Sequence, residues 1–146
     1  MKCMIDSNII LDVFLEQEPF FTASRAVLNL CESGKISGFI SASNATDIFY
    51  IVRKRLGSTD KAYEALGHVL NIVKVLTVTN EDVNNAFLQR AKDFEDCLLA
   101  VCTKSNKCDC IITRNKEDFA GFPVLLYAPE EILNHFNAHM KEEEKL

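Results

Sequence analysis

Glycine and proline are scarce, 5 and 3 in 146 residues, which argues against disorder and against a turn-rich β-sandwich. No apolar run reaches the ~18 residues of a membrane span, so no membrane segment is expected. The first residues, Met1-Lys2-Cys3-Met4-Ile5-Asp6, meet a carboxylate at once, which is not the pattern of a signal peptide. A basic surplus is also missing: 16 Lys and Arg stand against 21 Asp and Glu, a net charge of −5. The chain therefore lacks the charge that drives non-specific binding to nucleic acid. A nucleic-acid enzyme of this balance must draw phosphates in through local basic patches or metal ions. The one dense basic run, Arg53-Lys54-Arg55, reads equally as a phosphate contact or as a helix end whose cations favour the C-terminal dipole.

Hydrophobic residues make up 48% of the chain and charged residues 25%. That suits one domain over 1–146, which would hide about 68–70% of its unfolded surface on folding. Six cysteines stand at 3, 31, 97, 102, 108 and 110. The domain is not small and shows no export signal, so a disulfide framework is not expected. Cys97 and Cys102 close an apolar run in which a thiol acts as a small hydrophobe. Cys108-Asp109-Cys110 has no second pair at zinc spacing. Reduced cysteines and a cytoplasmic location are the expectation.

Short apolar runs without polar alternation predict buried strands at Lys2–Ile5, Ile36–Ile40, Val73–Val78, Cys110–Thr113 and Val124–Tyr127. Helical periodicity lies between them. It covers Asn8–Leu15, a stretch opened by Pro19 and stopped by Gly34, and a stripe from Ala45 through Leu56 that ends at Gly57. Further helices are predicted over about Thr59 to Asn71, Glu81–Ala91 and Phe94–Ser105, and a last one opened by Pro129. The tail 141–146 is expected to fray. This alternation predicts a three-layer α/β/α sandwich around a central, mostly parallel sheet of about five strands.

In such a sheet, ligands sit beyond the carboxyl ends of the strands. Asp6 follows the first strand directly. It reads either as an N-cap of the next helix or as a site acid, and Ser7 and Asn8 would cap as well. The fourth strand ends in Thr113-Arg114-Asn115-Lys116-Glu117-Asp118, where Asn115 and Asp118 form either a capping box or an amide and an acid at the same edge. Asp93 is a good N-cap for an otherwise apolar helix, and Asp96 lies one turn in, facing inward or into a cleft. The helix dipole favours an acid there by only ~0.3–1 kcal/mol, against several kcal/mol for desolvating an unpaired carboxylate. Asp47 borders the stripe of Ala45, Ile48, Phe49 and Val52. If Asp6, Asp47, Asp96 and Asp118 converge, each pair ~4 Å apart repels by roughly 4 kcal/mol at an effective dielectric of ~20. A hard divalent cation is the natural counter-charge, Mg²⁺ or Mn²⁺ rather than zinc, because no thiol or imidazole accompanies the acids. His68, His135 and His139 fall on predicted helices away from that edge.

Four blocks resemble the motif blocks of the PIN domain family, in that family's order. They are Met4-Ile5-Asp6-Ser7-Asn8-Ile9-Ile10-Leu11-Asp12, Ile40 to Tyr50 around Asp47, Asp93-Phe94-Glu95-Asp96-Cys97-Leu98-Leu99-Ala100, and Ile112 to Phe119. The Glu95-Asp96 pair is similar to one bacterial subgroup. The resemblance implies a metal-dependent endoribonuclease, most often the toxin half of a VapBC-like toxin–antitoxin pair, with RNA as substrate, an antitoxin as partner and frequent homodimers. It implies Asp6, Asp47, Asp96 and Asp118 as metal ligands and catalytic acids, with Asn115 in the catalytic set and Glu95, Thr113 and Asn8 as secondary candidates. In the mechanism it implies, bound Mg²⁺ or Mn²⁺ lowers the pKa of an attacking water, Asp118 or Asp47 completes the metal's surroundings or acts as general base, and Thr113 and Asn115 hydrogen-bond the phosphate, with Arg114 nearby as a counter-charge. Two departures stand out: Asp47 occupies a position that is usually Glu, and Asn115 one that is often Asp.

Other readings remain open on the residues. An inactive PIN-like module that binds RNA or protein is compatible with Asp47 and Asn115. A haloacid-dehalogenase-type phosphatase would use Asp6 as nucleophile, but Asn8 stands where that chemistry wants an acid. A phosphoacceptor receiver domain would need paired acids before the first helix and a lysine after the last strand, and both are missing.

Overall fold

The computed structural model describes residues 1–145. Five strands, β1 (Lys2–Ile5), β2 (Ser37–Ser41), β3 (Lys74–Leu76), β4 (Cys110–Ile112) and β5 (Leu126–Tyr127), form one sheet in the order β3-β2-β1-β4-β5. Every pairing is parallel. Among the described residues, six α-helices lie between the strands, α1 (Ser7–Phe14), α2 (Phe21–Glu32), α3 (Ala42–Leu56), α4 (Thr59–Ile72), α5 (Asn80–Gln89) and α6 (Phe94–Ser105), and α7 (Pro129–Glu144) follows β5. A 3-10 turn covers Lys116–Phe119. Of the tail expected at 141–146, Leu146 lies outside the described residues.

The alternation of side chains along β1 and β4 separates two apolar layers. Cys3, Ile5, Cys110 and Ile112 join the buried residues of α1 to α4 and Ile132 of α7. Met4 and Ile111 face the other way, toward Ala86 of α5, the apolar face of α6 and Phe119. The three-layer sandwich follows. Each fully hidden Ile contributes about 1.5–3 kcal/mol relative to exposure, and Ile5, Ile9, Ile40, Ile48, Ile111, Ile112 and Ile132 are all wholly buried.

Element edges differ from the sequence expectation where hydrogen bonding intervenes. The Val73 N–H returns to the Val69 carbonyl at 2.9 Å, so Val73 closes α4 instead of opening β3. Beyond Leu76, Thr79 forms a capping box with Asp82, which draws the chain into α5. β3 and β5 are therefore short edge strands. Helix α5 ends at Gln89, because Arg90 adopts a left-handed conformation with φ 52°. Gly57, at φ 64°, ends α3 as expected. All six cysteines are free thiols. Among the described residues, no helix is long and apolar enough to cross a membrane.

Candidate active site

The register of the two central strands builds the site. Ile5 lies opposite Ile112, so the next residues, Asp6 and Thr113, leave the sheet side by side. The Asp6 N–H donates to the Ile112 carbonyl at 3.0 Å, and the Thr113 hydroxyl donates to Asp6 Oδ2 at 2.7 Å. Asp6 occupies the N-cap position of α1 but caps nothing with its side chain. The simple capping role is thereby excluded. The same Thr113 oxygen accepts the Asn115 N–H at 3.1 Å and faces Asn8 Nδ2 at 3.5 Å. With its proton on Asp6, Thr113 is not the free phosphate donor expected from the sequence; it is a buried strut between two strand ends.

Asp96 enters from α6. Asp93 caps that helix, its Oδ1 accepting the Asp96 N–H at 3.0 Å. Asp118 comes from the 3-10 turn, whose start is held by backbone alone, the Asp118 N–H donating to the Asn115 carbonyl at 3.1 Å. No side-chain capping box forms between Asn115 and Asp118. Asp96 and Asp118 line an open cleft of about 670 Å³ together with Asp93, Glu117 and Lys92.

Electrostatics tie these acids together. Burial pushes the Asp6 carboxyl up, the Thr113 hydrogen bond opposes it, and the charge of Asp118 adds to the rise. Asp96 is pushed up to about 6, first by burial and then by the negative charges of Asp93, Asp6 and Asp118. Asp47, half-buried on α3, meets Glu95 of α6. Burial, then a proton-sharing hydrogen bond with Asp47 and the Asp47 charge, push Glu95 up to about 7. Asp6 after β1, Asp96 of α6 and Asp118 of the 3-10 turn thus act on one another's charge, while Asp47 of α3 acts on Glu95 beside Asp96. Among the described residues, however, no three His, Cys, Asp or Glu side chains stand close enough to close on one ion.

The donor chemistry fits a hard cation. The converging groups are carboxylate oxygens, and beside them Asn8 Oδ1 is buried with no hydrogen-bond partner. A lone amide acceptor next to Asp6 and Thr113 suits a cation or a cation-bound water, and an all-oxygen set suits Mg²⁺ or Mn²⁺.

Two features were not anticipated. Arg114 pairs with Asp12: its Nε donates to both oxygens of Asp12, at 3.2 and 3.0 Å, and its guanidinium stacks 4.1 Å from the Phe20 ring centroid. Asp12 also accepts from Ser24 at 2.9 Å and Gln17 at 3.1 Å. Arg114 thus gives its direct bonds to Asp12, while its charge still lowers the Asp6 carboxyl from nearby, as a counter-charge. The available signal was Asp12 itself, a carboxylate inside the apolar run Ile9 to Val13. The second feature is Lys92, the cation on the wall of the acid cleft, which no motif singled out. His68, His135 and His139 lie on α4 and α7, away from the acids, with His135 and His139 packed ring against ring 4.5 Å apart.

Comparison with known proteins agrees with this fold. Ribonuclease VapC1 of Aquifex aeolicus (strain VF5) is 24% identical over 141 residues, covering 93% of this chain and 96% of its own. Among solved structures, VapBC2 from Rickettsia felis, bound to a DNA fragment from its promoter, superposes with a TM-score of 0.69 at 16% identity, over 88% of this chain and 98% of that one. VapC20 of Mycobacterium tuberculosis, described as a sarcin–ricin loop cleaving toxin, superposes at 0.64 with 15% identity, over 82% and 95%. A sequence model of the PIN domain matches residues 2–117, and the chain belongs to the PIN domain family.

Proposed function

We propose that this protein, read as one domain over 1–146, is a Mg²⁺- or Mn²⁺-dependent endoribonuclease and the toxin of a toxin–antitoxin pair. The observation that carries the reading is the mutual charge coupling of Asp6, Asp96 and Asp118 at the carboxyl edge of a parallel sheet, beside an open cleft. Such a cluster is costly to keep without a cation and useful with one.

Asp6, Asp96 and Asp118 would hold the ion, with Asp47 completing its surroundings and Asn8 Oδ1 accepting from a bound water. When bound, the ion supplies a water of lowered pKa and charge stabilisation at a phosphodiester. Thr113 keeps Asp6 oriented by holding its proton on Oδ2. Glu95, pushed up to about 7, is matched to taking a proton near neutral pH, and Asp47 would receive or share it. Asn115 would present its amide to the substrate from the turn after β4. The free cysteines suit the cytoplasm. An antitoxin partner is suggested by the VapBC assemblies that share the fold, and a homodimer by the family habit stated above.

The test is cleavage of single-stranded RNA by purified protein with Mn²⁺. Asp6→Asn and Asp96→Asn are each expected to abolish it while circular dichroism stays that of the parent. Retained cleavage in both variants removes the proposal. A second reading, a PIN-like module that binds RNA or protein without cutting, draws support from Asp47 and Asn115, which stand where the family usually has Glu and often has Asp. Calorimetric titration with Mn²⁺ separates the two. Saturable binding that Asp96→Asn removes favours the nuclease, and no binding favours the module.

A further inference from the structure

The acid cleft does not end at the acids. Its wall of Gln89 and Phe122 is shared with a second hollow of about 280 Å³, lined by Gln89, Val101, Lys104, Phe122, Pro123 and Val124 among others. That hollow in turn shares Gln89, Val101 and Lys104 with a third, of about 650 Å³, carrying the carboxylates of Glu81 and Asp82 and the amides of Asn85 and Asn106. The three depressions run in sequence along α6, from Asp96 in its first turn to Lys104 in its last. Eight residues at 1.5 Å each put those two about 12 Å apart along the helix axis.

Charge changes along this path. The first hollow carries Asp93, Asp96, Glu117 and Asp118 against Lys92, whereas Lys104 is the sole charged residue lining the second. Lys104 is exposed and enters no ion pair among the described residues. Across from it, Phe122 is half-buried and held edge-on to Phe119, centroids 6.5 Å apart, so the ring is fixed while part of it stays open. Gln89 offers a donor and an acceptor between them. A fixed aromatic face, a neutral amide and one free cation in a row are what an unpaired nucleotide requires. Bases stack on aromatic rings irrespective of sequence, and a lysine neutralises the phosphate.

We propose that the hollow between Phe122 and Lys104 is a nucleotide subsite for the single-stranded RNA substrate. It holds the nucleotide next to the one cleaved, with Phe122 under the base, Gln89 at its edge and Lys104 on the following phosphate. This rests on the nuclease reading and extends it: the enzyme takes an unpaired strand laid along α6. A polypeptide segment would find only one charge and a single aromatic ring there.

The test uses the full chain carrying Asp6→Asn, so that RNA is held but not cut, and measures binding of a labelled oligoribonucleotide and of a dinucleotide across a salt series. Adding Lys104→Gln is expected to weaken oligomer binding several-fold, more than dinucleotide binding, and to lower the slope of log K against log salt by about 0.7. Phe122→Leu, which keeps apolar bulk against Phe119, is expected to weaken oligomer binding roughly tenfold with the salt slope unchanged. Lys61→Gln, on the exposed face of α4, changes neither. If the Asp6→Asn parent binds RNA and both Lys104→Gln and Phe122→Leu bind it equally well with the same slope, the subsite is overturned and the nuclease reading stands. If the parent binds no RNA and the wild type cuts none, both fall. If an acidic peptide displaces the RNA and loses its own binding in Lys104→Gln, the hollow belongs to a protein segment and the proposal is overturned.

Discussion

Arg114 donates through Nε to both carboxylate oxygens of Asp12, 102 residues away in sequence, and Asp12 has no solvent exposure. The pair ties the turn after β4 to α1, next to Asp6 and Thr113. It therefore stiffens the site from behind without entering it. Removing either partner has a different cost. Arg114→Met leaves a wholly buried carboxylate without its cation, which is expected to lower the unfolding free energy by about 3–5 kcal/mol. Asp12→Asn leaves an arginine that is 25% exposed and turns to water, so the loss is smaller. Urea unfolding should rank the variants in that order, with the double variant recovering part of the Arg114→Met loss. Equal losses would mean that the Ser24 and Gln17 hydrogen bonds suffice to hold the Asp12 charge without Arg114.

The strand pattern, the helix order and the carboxyl-edge position of Asp6 were legible because buried parallel strands write themselves as unbroken apolar runs. Asp93 as a cap and Gly57 as a stop were legible for the same local reasons. Arg114 was not. Its position between Thr113 and Asn115 suggested a counter-charge near the phosphate, and only the long-range fold reveals that a closer buried acid claims its direct bonds. Nor was the end of β3. Val73 and Val78 are as apolar as a strand requires, but the α4 carboxyl terminus takes the first and the Thr79 capping box follows directly on the second.

Asp82 predicts an acid-sensitive corner. It is 3% exposed, accepts the Thr79 N–H at 3.0 Å, and lies 3.8 Å from Cys102 Sγ. Burial alone pushes its carboxyl up, but the hydrogen bonds from the Thr79 backbone, Ser105, the Thr79 hydroxyl and Cys102 together outweigh it and hold the group below its ordinary 3.8. A depressed folded-state value means that the stabilisation is complete above 3.8 and drains as pH falls through the lowered value. Asp82→Asn should lose about 1 kcal/mol at neutral pH and show a shallower acid limb in denaturation. An unchanged acid limb would remove Asp82 as its source.

The site acids predict the opposite slope. Burial and the neighbouring negative charges push Asp96 up from 3.8 to about 6. Folding therefore favours the protonated form, and that contribution is present below 3.8 and lost as pH rises through about 6. In EDTA, the melting temperature should fall between those values, and Asp96→Asn should flatten the fall and melt above the wild type at neutral pH. Added Mn²⁺ should raise the wild type there by mass action and leave Asp96→Asn unmoved. A variant that melts at or below the wild type in EDTA would show that the acids do not strain one another.

Gly38 sits in β2 opposite Cys3, and a Cβ built there would lie 2.6 Å from Cys31 Sγ and 3.0 Å from Val73 Cγ1. Real Cβ atoms do not approach so closely, so Gly38→Ala must push α2 or the end of α4 away from the sheet. Cys31 cannot leave easily: it is 7% exposed, and burial pushes its thiol up to about 12, marking an apolar seat. Overpacking of this kind costs typically ~1–3 kcal/mol. The sulfur is the nearer obstacle, so Cys31→Ala in the Gly38→Ala background should recover much of the loss, whereas Cys31→Ala alone should destabilise by opening a void. A double-mutant cycle in urea measures the coupling directly. Additive losses would locate the strain at Val73 and the α4 terminus instead of at Cys31.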